Sequence, residues 1–271
     1  MEIAFVGCGA AGRPLAAAWR RAGHTIGAVH ARSRAAEAVR VIGGGTPGGD
    51  VRTADVVVFA TPDDMLATVA ARIRLGREQV ALHLSGAYAS TVLQPTGART
   101  ASLHPLRAFA DFEGALAALP ETWFFVEGEA AAVAEQLVGD LGAPCARIDT
   151  AKKASYHAAA AIASNYCVTL LALARDLFVD AGVADDEALA ALVALAGGAV
   201  ENVGRVGLPD ALTGPAARGD VEVIEGHLAA LPPAAGAIYR ALLGATLPVA
   251  RARGGLTAEA EDRLRRLADG R

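Results

Sequence analysis

Short apolar and β-branched runs alternate with alanine-rich runs at helical spacing through the first half of the chain. This alternation is typical of a parallel sheet whose strands are joined by crossover helices. The pattern predicts strands at residues 3–6, 25–29, 56–60, 80–84, 101–103, 123–126 and 146–148. The first half is therefore expected to form an α/β domain with a mostly parallel sheet.

The pattern changes after Asp149, where long alanine- and leucine-rich stretches replace the strand-like runs. Glycine and proline interrupt these stretches at residues 182, 204–209, 214–215, 232–233 and 254–255, as loops between helices do. Asp149 or Thr150 is expected to cap a helix that begins near Ala151. We therefore predict an α/β domain at residues 1–149 and an all-α domain at residues 150–271.

Composition and charge narrow the class of partner. The chain has 271 residues, of which 53% are apolar and 20% charged, as in a globular protein. Its formal net charge of -4 provides no basic field for nucleic acid or anionic lipid, so neither is expected as a partner. Cys8, Cys145 and Cys167 are odd in number and lack the spacing of metal ligands. We predict buried thiols in a reducing compartment, without a disulfide or a metal site.

The apolar pattern predicts neither export nor membrane insertion. The chain enters a strand at once after Met1, without a basic leader or a cleavage site. Residues 158–174 are the most apolar stretch, but they include Ser164 and Asn165 and are short for a bilayer span. A buried helix and a cytoplasmic location without a membrane partner are expected.

A glycine-rich turn follows the first predicted strand and opens a predicted helix. It reads Gly7-Cys8-Gly9-Ala10-Ala11-Gly12. In the dinucleotide fingerprint the first glycine permits a tight turn, the second lets the backbone approach the pyrophosphate, and the third allows close packing of helix on strand. This context predicts a Rossmann domain, with a doubly wound, mostly parallel sheet, that binds a dinucleotide through Gly7, Gly9, Ala10, Ala11 and Gly12.

The preference for NADP over NAD is predicted from the end of the second strand. An acid at this place would bind the 2′-hydroxyl of NAD, but the segment contains Arg32, Ser33 and Arg34 instead. Guanidinium and hydroxyl donors suit the 2′-phosphate of NADP, so NADP(H) is the expected cofactor. The alternative is that Arg32 and Arg34 merely begin a solvated helix.

Two further strand ends are expected to border the cofactor, because ligands collect at the carboxyl ends of parallel strands. Thr61 and Pro62 follow the strand at 56–60, and Ser85 and Gly86 follow the strand at 80–84, near the nicotinamide side. His83 is expected either to be hydrogen-bonded within the sheet, which the pattern favours, or to be a catalytic group.

Catalytic candidates cluster on the first helix of the predicted second domain. Lys153 and His157 are four residues apart and share a helix face, where either side chain can give a proton to a developing alkoxide or amine. Asn165 lies about 12 Å beyond His157 along the helix and is expected to meet substrate or nicotinamide. Alternatively, Lys153 is a solvated first-turn lysine and Asn165 a satisfied buried amide.

A polar loop farther on supplies a candidate substrate clamp. Arg218 has the planar fork that matches a carboxylate, and we count it among the catalytic candidates. Asp220 is expected to cap the following helix. His104 either contributes to the floor of a cleft or is structural.

The chain resembles a short-subunit dehydrogenase-like family that joins a Rossmann NADP-binding domain to a helical domain of unassigned function. Residues 7–12, 82–86, 102–106, 156–166 and 213–220 carry the resemblance. More distantly it is similar to ketopantoate reductase, pyrroline-5-carboxylate reductase, and the 6-phosphogluconate and 3-hydroxyacid dehydrogenases. Several of these place a lysine and, four residues later, an asparagine on the first helix of the second domain; Lys153 matches the lysine, whereas His157 replaces the asparagine. The resemblance implies an oxidoreductase and a homodimer built by the second domain.

Three functions follow from these observations. The leading hypothesis is NADPH-dependent reduction of a small carboxylated carbonyl compound, a 2-oxo acid such as ketopantoate. The second is reduction of a cyclic imine of the pyrroline-5-carboxylate type. The third is a non-catalytic NADP-binding sensor or scaffold. The pattern leaves open the substrate, the reaction direction, a deazaflavin in place of nicotinamide, and which of Lys153, His157 and Asn165 donates the proton.

Overall fold

The computed structural model describes residues 1–32, 34–109 and 111–271. They divide into two compact units, Met1–Ser164 and Asn165–Arg271. The predicted domain boundary near residue 149 precedes this division by one helix, α6 (Lys153–Ala163). Asp149 caps the short 3-10 helix Thr150–Lys152 as expected, because its side chain accepts a hydrogen bond from the amide of Ala151 at 2.9 Å.

A single sheet organises the first unit. The described residues form strands β1 (Glu2–Val6), β2 (Thr25–His30), β3 (Thr46–Pro47), β4 (Val56–Phe59), β5 (Val80–His83), β6 (Arg99–Pro105), β7 (Phe124–Glu127) and β8 (Cys145–Arg147). Their order across the sheet is β3-β2-β1-β4-β5-β6-β7-β8. The strands from β1 to β6 pair in parallel, and β7 runs antiparallel to β6 and parallel to β8. The seven predicted strands and the mostly parallel sheet are confirmed.

The helices of the first unit lie on both faces of this sheet. They are α1 (Gly12–Arg21), α2 (Ala35–Ile42), α3 (Asp63–Ala70), α4 (Phe112–Ala118), α5 (Ala131–Gly139) and α6. Alternating side chains of each strand supply the two cores: Ile3 and Phe5 pack on the face that carries α1, α4 and α5, and Ala4 and Val6 on the face that carries α3. This is the doubly wound arrangement that the sequence predicts.

The second unit is helical, as predicted. It contains α7 (Asn165–Asp180), α8 (Asp185–Val206), α9 (Pro215–Arg218), α10 (Val221–Ala230), α11 (Pro233–Arg253) and α12 (Ala258–Ala268). Val221, Ile224, Leu243, Leu247 and Leu264 form a core among α10, α11 and α12.

The expectation of a buried helix at residues 158–174 is wrong for the single chain. None of the apolar window in the continuous helical stretch Thr150–Asp180 is buried, and 6% of the window in α8 is. Both stretches are long and apolar enough to cross a membrane by length and composition alone. The composition predicted burial, but no element of the described chain covers these side chains. The thiol expectation also needs correction: all three cysteines are free, yet Cys8 alone among them is buried.

Candidate active site

The turn between β1 and α1 has the geometry that the glycine pattern predicts. Gly7 has a φ of +83°, and a Cβ there would lie 2.6 Å from the carbonyl oxygen of Ala60 at the end of the neighbouring strand β4. A side chain is excluded on both counts. The turn therefore lies at the carboxyl ends of β1 and β4, where the strand order reverses and dinucleotides bind in this kind of sheet.

Most of the predicted cofactor residues line one cavity of about 320 Å³. Its lining includes Gly9, Ala10, Ala11, Gly12, Thr61, Pro62 and Ser85. A Cβ on Gly9 would meet nothing within 4 Å, so the backbone is open to a ligand at this point. The buried hydroxyl of Thr61 has no hydrogen-bond partner among the described residues. Open backbone and an unsatisfied hydroxyl fit the pyrophosphate of a dinucleotide.

Arg32 and Arg34, two of the residues predicted to meet the 2′-phosphate, follow the end of β2. Arg32 and Arg34 are exposed, and Arg34 forms an exposed ion pair with Glu37 at 3.7 Å. Ser33 lies outside the described residues. The position of Arg32 is compatible with phosphate binding as well as with a solvated turn.

Three polar side chains form a row across the sheet on the face opposite α1. His83 on β5 pairs in register with Ser102 on β6, and Ser102 pairs with Glu127 on β7. All three residues are buried. We call His83, Ser102 and Glu127 the polar row. A row of this kind within an apolar sheet is costly unless its members are hydrogen-bonded or paired with charge.

Lys153, at the start of α6, supplies that charge. It is 2% exposed, its Nζ donates a hydrogen bond to Ser102 Oγ at 2.6 Å, and Glu127 Oε1 lies 4.0 Å from the same nitrogen. The hydroxyl of Ser102 in turn donates to the carbonyl oxygen of Ser85 at 3.4 Å. The alternative of a solvated lysine is therefore wrong. Lys153 lies beneath the Ser85–Gly86 turn that borders the cofactor cavity.

Two histidines meet at Gly86 on the same side of the sheet. A Cβ on Gly86 would lie 2.7 Å from both His104 Nε2 and His157 Nδ1, so glycine alone lets the two rings pack against this backbone. The ring centroids of His104 and His157 are 6.2 Å apart. His104 Nδ1 shares a 2.7 Å hydrogen bond with the hydroxyl of Tyr156. Buried His157 Nδ1 has no partner among the described residues.

The protonation states follow from burial and from the lysine charge. Burial, and then the charge of Lys153, lowers the pKa of His83 to about 3 and that of His104 to about 4, so both rings are neutral near pH 7. Burial raises the pKa of Tyr156 to about 12. Burial also lowers the pKa of Lys153 to about 8, against the opposing charges of Glu127 and Asp63. Lys153 therefore remains a cation at neutral pH and is poised to release its proton.

His83 has the structural geometry that the sequence favours. Its ring is fully buried, and Nδ1 accepts a hydrogen bond from the amide of Ser85 at 3.1 Å. The proton is therefore on Nε2. His83 shapes the turn at Ser85 and is neutral.

Two predicted site residues belong to the second unit. Asn165 begins α7, and Arg218 ends α9. Arg218 Nη2 forms an ion pair with Asp220 Oδ2 at 2.7 Å, with both side chains partly exposed. Asp220 occupies the N-cap position of α10 but makes no side-chain cap hydrogen bond, so the expected capping role is wrong: its carboxylate accepts from Arg218 instead.

Sequence reasoning missed Glu127 altogether and treated Ser102 and Tyr156 only as part of a resemblance. The missed signal is the polar residue on the β7 strand, Phe124-Phe125-Val126-Glu127, opposite a serine on β6. Register between strands is needed to see it.

Comparisons with known proteins agree with this geometry. Residues 1–106 match the model of a Rossmann-like domain, and residues 122–246 match a family described as a domain of unknown function, DUF2520. No curated protein sequence matches the chain. The first 106 residues are thus similar to a Rossmann-like domain, and residues 122–246 are similar to DUF2520. The expected resemblance to a Rossmann domain joined to a domain of unassigned function agrees with these matches, whereas the short-subunit name is imprecise.

Solved structures share the fold over nearly the whole chain. Protein TM1727 from Thermotoga maritima is 27% identical, with a TM-score of 0.72 and coverage of 99% of this chain and 98% of that chain. A Bacteroides fragilis protein provisionally described as an NADP oxidoreductase is 24% identical, with a TM-score of 0.69 and coverage of 91% and 97%. The 1-pyrroline-5-carboxylate reductase of Streptococcus pyogenes is 13% identical, with a TM-score of 0.60 and coverage of 97% and 98%. The fold is thus one that oxidoreductases use.

Proposed function

We propose that the protein is an NADP(H)-dependent reductase of a small carboxylated carbonyl compound, with a 2-oxo acid such as ketopantoate as the first substrate to test. The observation that carries this proposal is the meeting of proton-handling groups with the cofactor cavity at Ser85 and Gly86. Ser85 lines the cavity, and Lys153 reaches it through Ser102. The cavity is assigned to NADP(H), in agreement with the oxidoreductases that share the fold.

The chain's own residues supply the proton. When bound, the reduced nicotinamide supplies a hydride to the carbonyl carbon. Lys153 gives a proton from Nζ to the carbonyl oxygen and is left as a neutral amine, a transfer that its pKa of about 8 favours at neutral pH. His104, neutral and oriented by Tyr156, and His157 then hold the oxygen by hydrogen bonds.

Asn165 and Arg218, the two candidates in the second unit, are proposed as substrate ligands on their chemistry alone. Arg218 holds the substrate carboxylate with its planar guanidinium, for which it must exchange its exposed pairing with Asp220. An exposed ion pair contributes little free energy, so this exchange is inexpensive. Asn165 orients substrate or nicotinamide.

A cyclic imine is the second candidate substrate. The same proton donor serves a C=N bond, and a pyrroline-5-carboxylate reductase shares the fold over almost its whole length. The sensor hypothesis is less favoured, because Lys153 and His157 lie beside Ser85 and Gly86 and not in solvent, as a proton-transfer site requires.

The test is fluorescence titration of the purified protein with NADPH and NADH, followed by NADPH oxidation with a panel of 2-oxo acids and cyclic imines. Tight NADPH binding with turnover of one panel member supports the reductase and identifies its substrate class. Binding without turnover transfers support to the sensor. Absence of binding overturns the cofactor assignment.

A second copy of the chain is proposed to cover the exposed apolar residues of α7 and α8, making a homodimer in the cytoplasm. These residues include Tyr166, Val168, Leu189, Val193, Leu195 and Val200. Lipid is a poorer occupant, because α7 carries Arg175 and Asp176 and α8 carries Glu201, and charged side chains within a membrane span are costly. The same surface on two copies satisfies a twofold interface.

The assembly is tested by sedimentation equilibrium of the wild type and of Leu195→Glu. A wild-type dimer that the variant converts to a monomer supports the proposal. A wild-type monomer rejects it, and flotation of that monomer with liposomes would assign the surface to a membrane.

A further inference from the structure

Glu127 is a buried carboxylate that the reaction above does not use. Its side chain is fully buried, and its two oxygens accept three hydrogen bonds. Oε1 accepts from the amide of Ser90 at 2.7 Å, and Oε2 accepts from the hydroxyls of Ser90 and Thr150, each at 2.8 Å. These donors fix the orientation of the carboxylate.

The donors connect Glu127 to both segments that build the candidate site. Ser90 begins the 3-10 helix Ser90–Thr96, four residues after Gly86. Thr150 begins the 3-10 helix that leads into Lys153 and the rest of α6. Glu127 therefore lies between the turn at Gly86 and the start of the helix that carries the proton donor.

Few oppositely charged groups lie near the ammonium of Lys153. The titratable groups that face it are Glu127 on β7, Asp63 on α3, His83 on β5, His104 on β6 and Tyr156 on its own helix. The two histidines are neutral, and Asp63 is exposed at the start of α3. Glu127 is therefore the buried counter-charge. It is the larger of the two influences that raise the pKa of Lys153 against burial.

We propose that Glu127 is a positioning residue: it keeps the buried ammonium of Lys153 charged and aimed at Ser102, beside Ser85 and Gly86. This proposal rests on the proposed function only for the use to which the proton is put. Glu127 itself touches neither the hydride acceptor nor the cofactor cavity.

The composition offers a direct test, because the chain contains only two lysines, Lys152 and Lys153. Protein labelled with ¹⁵N-lysine gives two Nζ signals, and the exposed Lys152 serves as the internal reference. The titration midpoint of Lys153 is measured by NMR in wild type, Glu127→Gln, Glu127→Asp and the control Glu129→Gln, which removes an exposed acid two residues along the chain. No substrate is needed.

We expect the Lys153 midpoint in Glu127→Gln to fall by at least about one pH unit, as loss of a nearby opposite charge requires. Glu127→Asp keeps the charge but moves it away, so a smaller fall is expected, and Glu129→Gln should match wild type. If Glu127→Gln does not fold, Glu127→Asp against Glu129→Gln carries the comparison. A Lys153 midpoint unchanged by either Glu127 variant overturns the proposal.

Activity separates this proposal from the proposed function. Where a substrate is found, the fall of kcat/KM at high pH should move to lower pH in Glu127→Gln by the same interval as the NMR midpoint, with NADPH affinity unchanged. A shifted midpoint in a protein without reductase activity supports the role of Glu127 and rejects the proposed function. A moved pH profile without a moved midpoint rejects the role of Glu127.

Discussion

Replacing Gly86 with alanine tests the geometry of the candidate site most directly. The new Cβ would lie 2.7 Å from His104 Cε1, His104 Nε2 and His157 Nδ1. Ordinary contact between such atoms begins near 3.5 Å, so both rings must move by about 0.8 Å or the backbone must shift. His104 cannot move freely, because Nδ1 is hydrogen-bonded to Tyr156. Overpacking of this kind costs about 1–3 kcal/mol of folding free energy.

The effect on turnover should be larger than the effect on stability implies. A displacement near 1 Å of a group that orients a substrate costs about 100-fold in rate. We therefore expect kcat of Gly86→Ala to fall about 100-fold while the NADPH dissociation constant changes little, measured by steady-state kinetics and fluorescence titration.

Gly139→Ala is the matched control, since a Cβ on that residue at the end of α5 would meet nothing within 4 Å. Its kinetics and its urea unfolding curve should match wild type or show slightly greater stability. Wild-type turnover in folded Gly86→Ala would refute the role assigned to the two histidines.

Three further outcomes are expected. Lys153→Met leaves Glu127 buried without a counter-charge, so the unfolding free energy measured in urea should fall by about 3 kcal/mol. The variant should also reduce kcat much more than NADPH affinity. Wild-type turnover would exclude Lys153 as the proton donor. The pKa of Lys153 is about 8 in the folded protein, below the ordinary 10.5, so the unfolded chain binds more protons between these two values. The contribution of Lys153 to the unfolding free energy should therefore rise from pH 8 to pH 10.5. Turnover should instead fall above pH 8, because the amine has lost the proton that it donates. This rise should be absent from Lys153→Met, and equal slopes would contradict it. Arg32→Ala should weaken NADPH binding by about tenfold, as loss of a charged hydrogen bond predicts, and leave NADH binding unchanged; equal effects on both cofactors would argue for a solvated Arg32.

Local sequence patterns predict the sheet well because its strands are buried on both faces. Val56–Phe59 is a continuous apolar run, and Val80–His83 is apolar up to its last residue; buried runs of this kind leave few alternatives. Thr46–Pro47 was not predicted, because two residues carry no periodicity. Gly7 was predicted because the glycine pattern at a turn between a strand and a helix is local, and its positive φ favours glycine.

The candidate site was predicted only in part because its contacts are distant in sequence. Lys153 and His157 share a helix face, which spacing shows, but the burial of Lys153 depends on Ser102, 51 residues earlier. Glu127 becomes visible only when β6 and β7 are placed in register. Apolar composition also misled at α7, where it indicated burial although the single chain leaves the helix exposed.

The strand order has a consequence for how the chain acquires its structure. β1 precedes the other strands of the sheet along the chain, yet it lies inside the sheet between β2 and β4, and β4 ends at Phe59. Parallel neighbours cannot close through a tight hairpin, so one edge of β1 stays without its hydrogen-bond partner until β4 has been synthesised. Non-local pairing of this kind slows folding, and it leaves aggregation-prone strand edges exposed until folding is complete. The segment from β1 to β4 therefore presents an unpaired strand edge for the whole interval in which the polypeptide between these strands is being made.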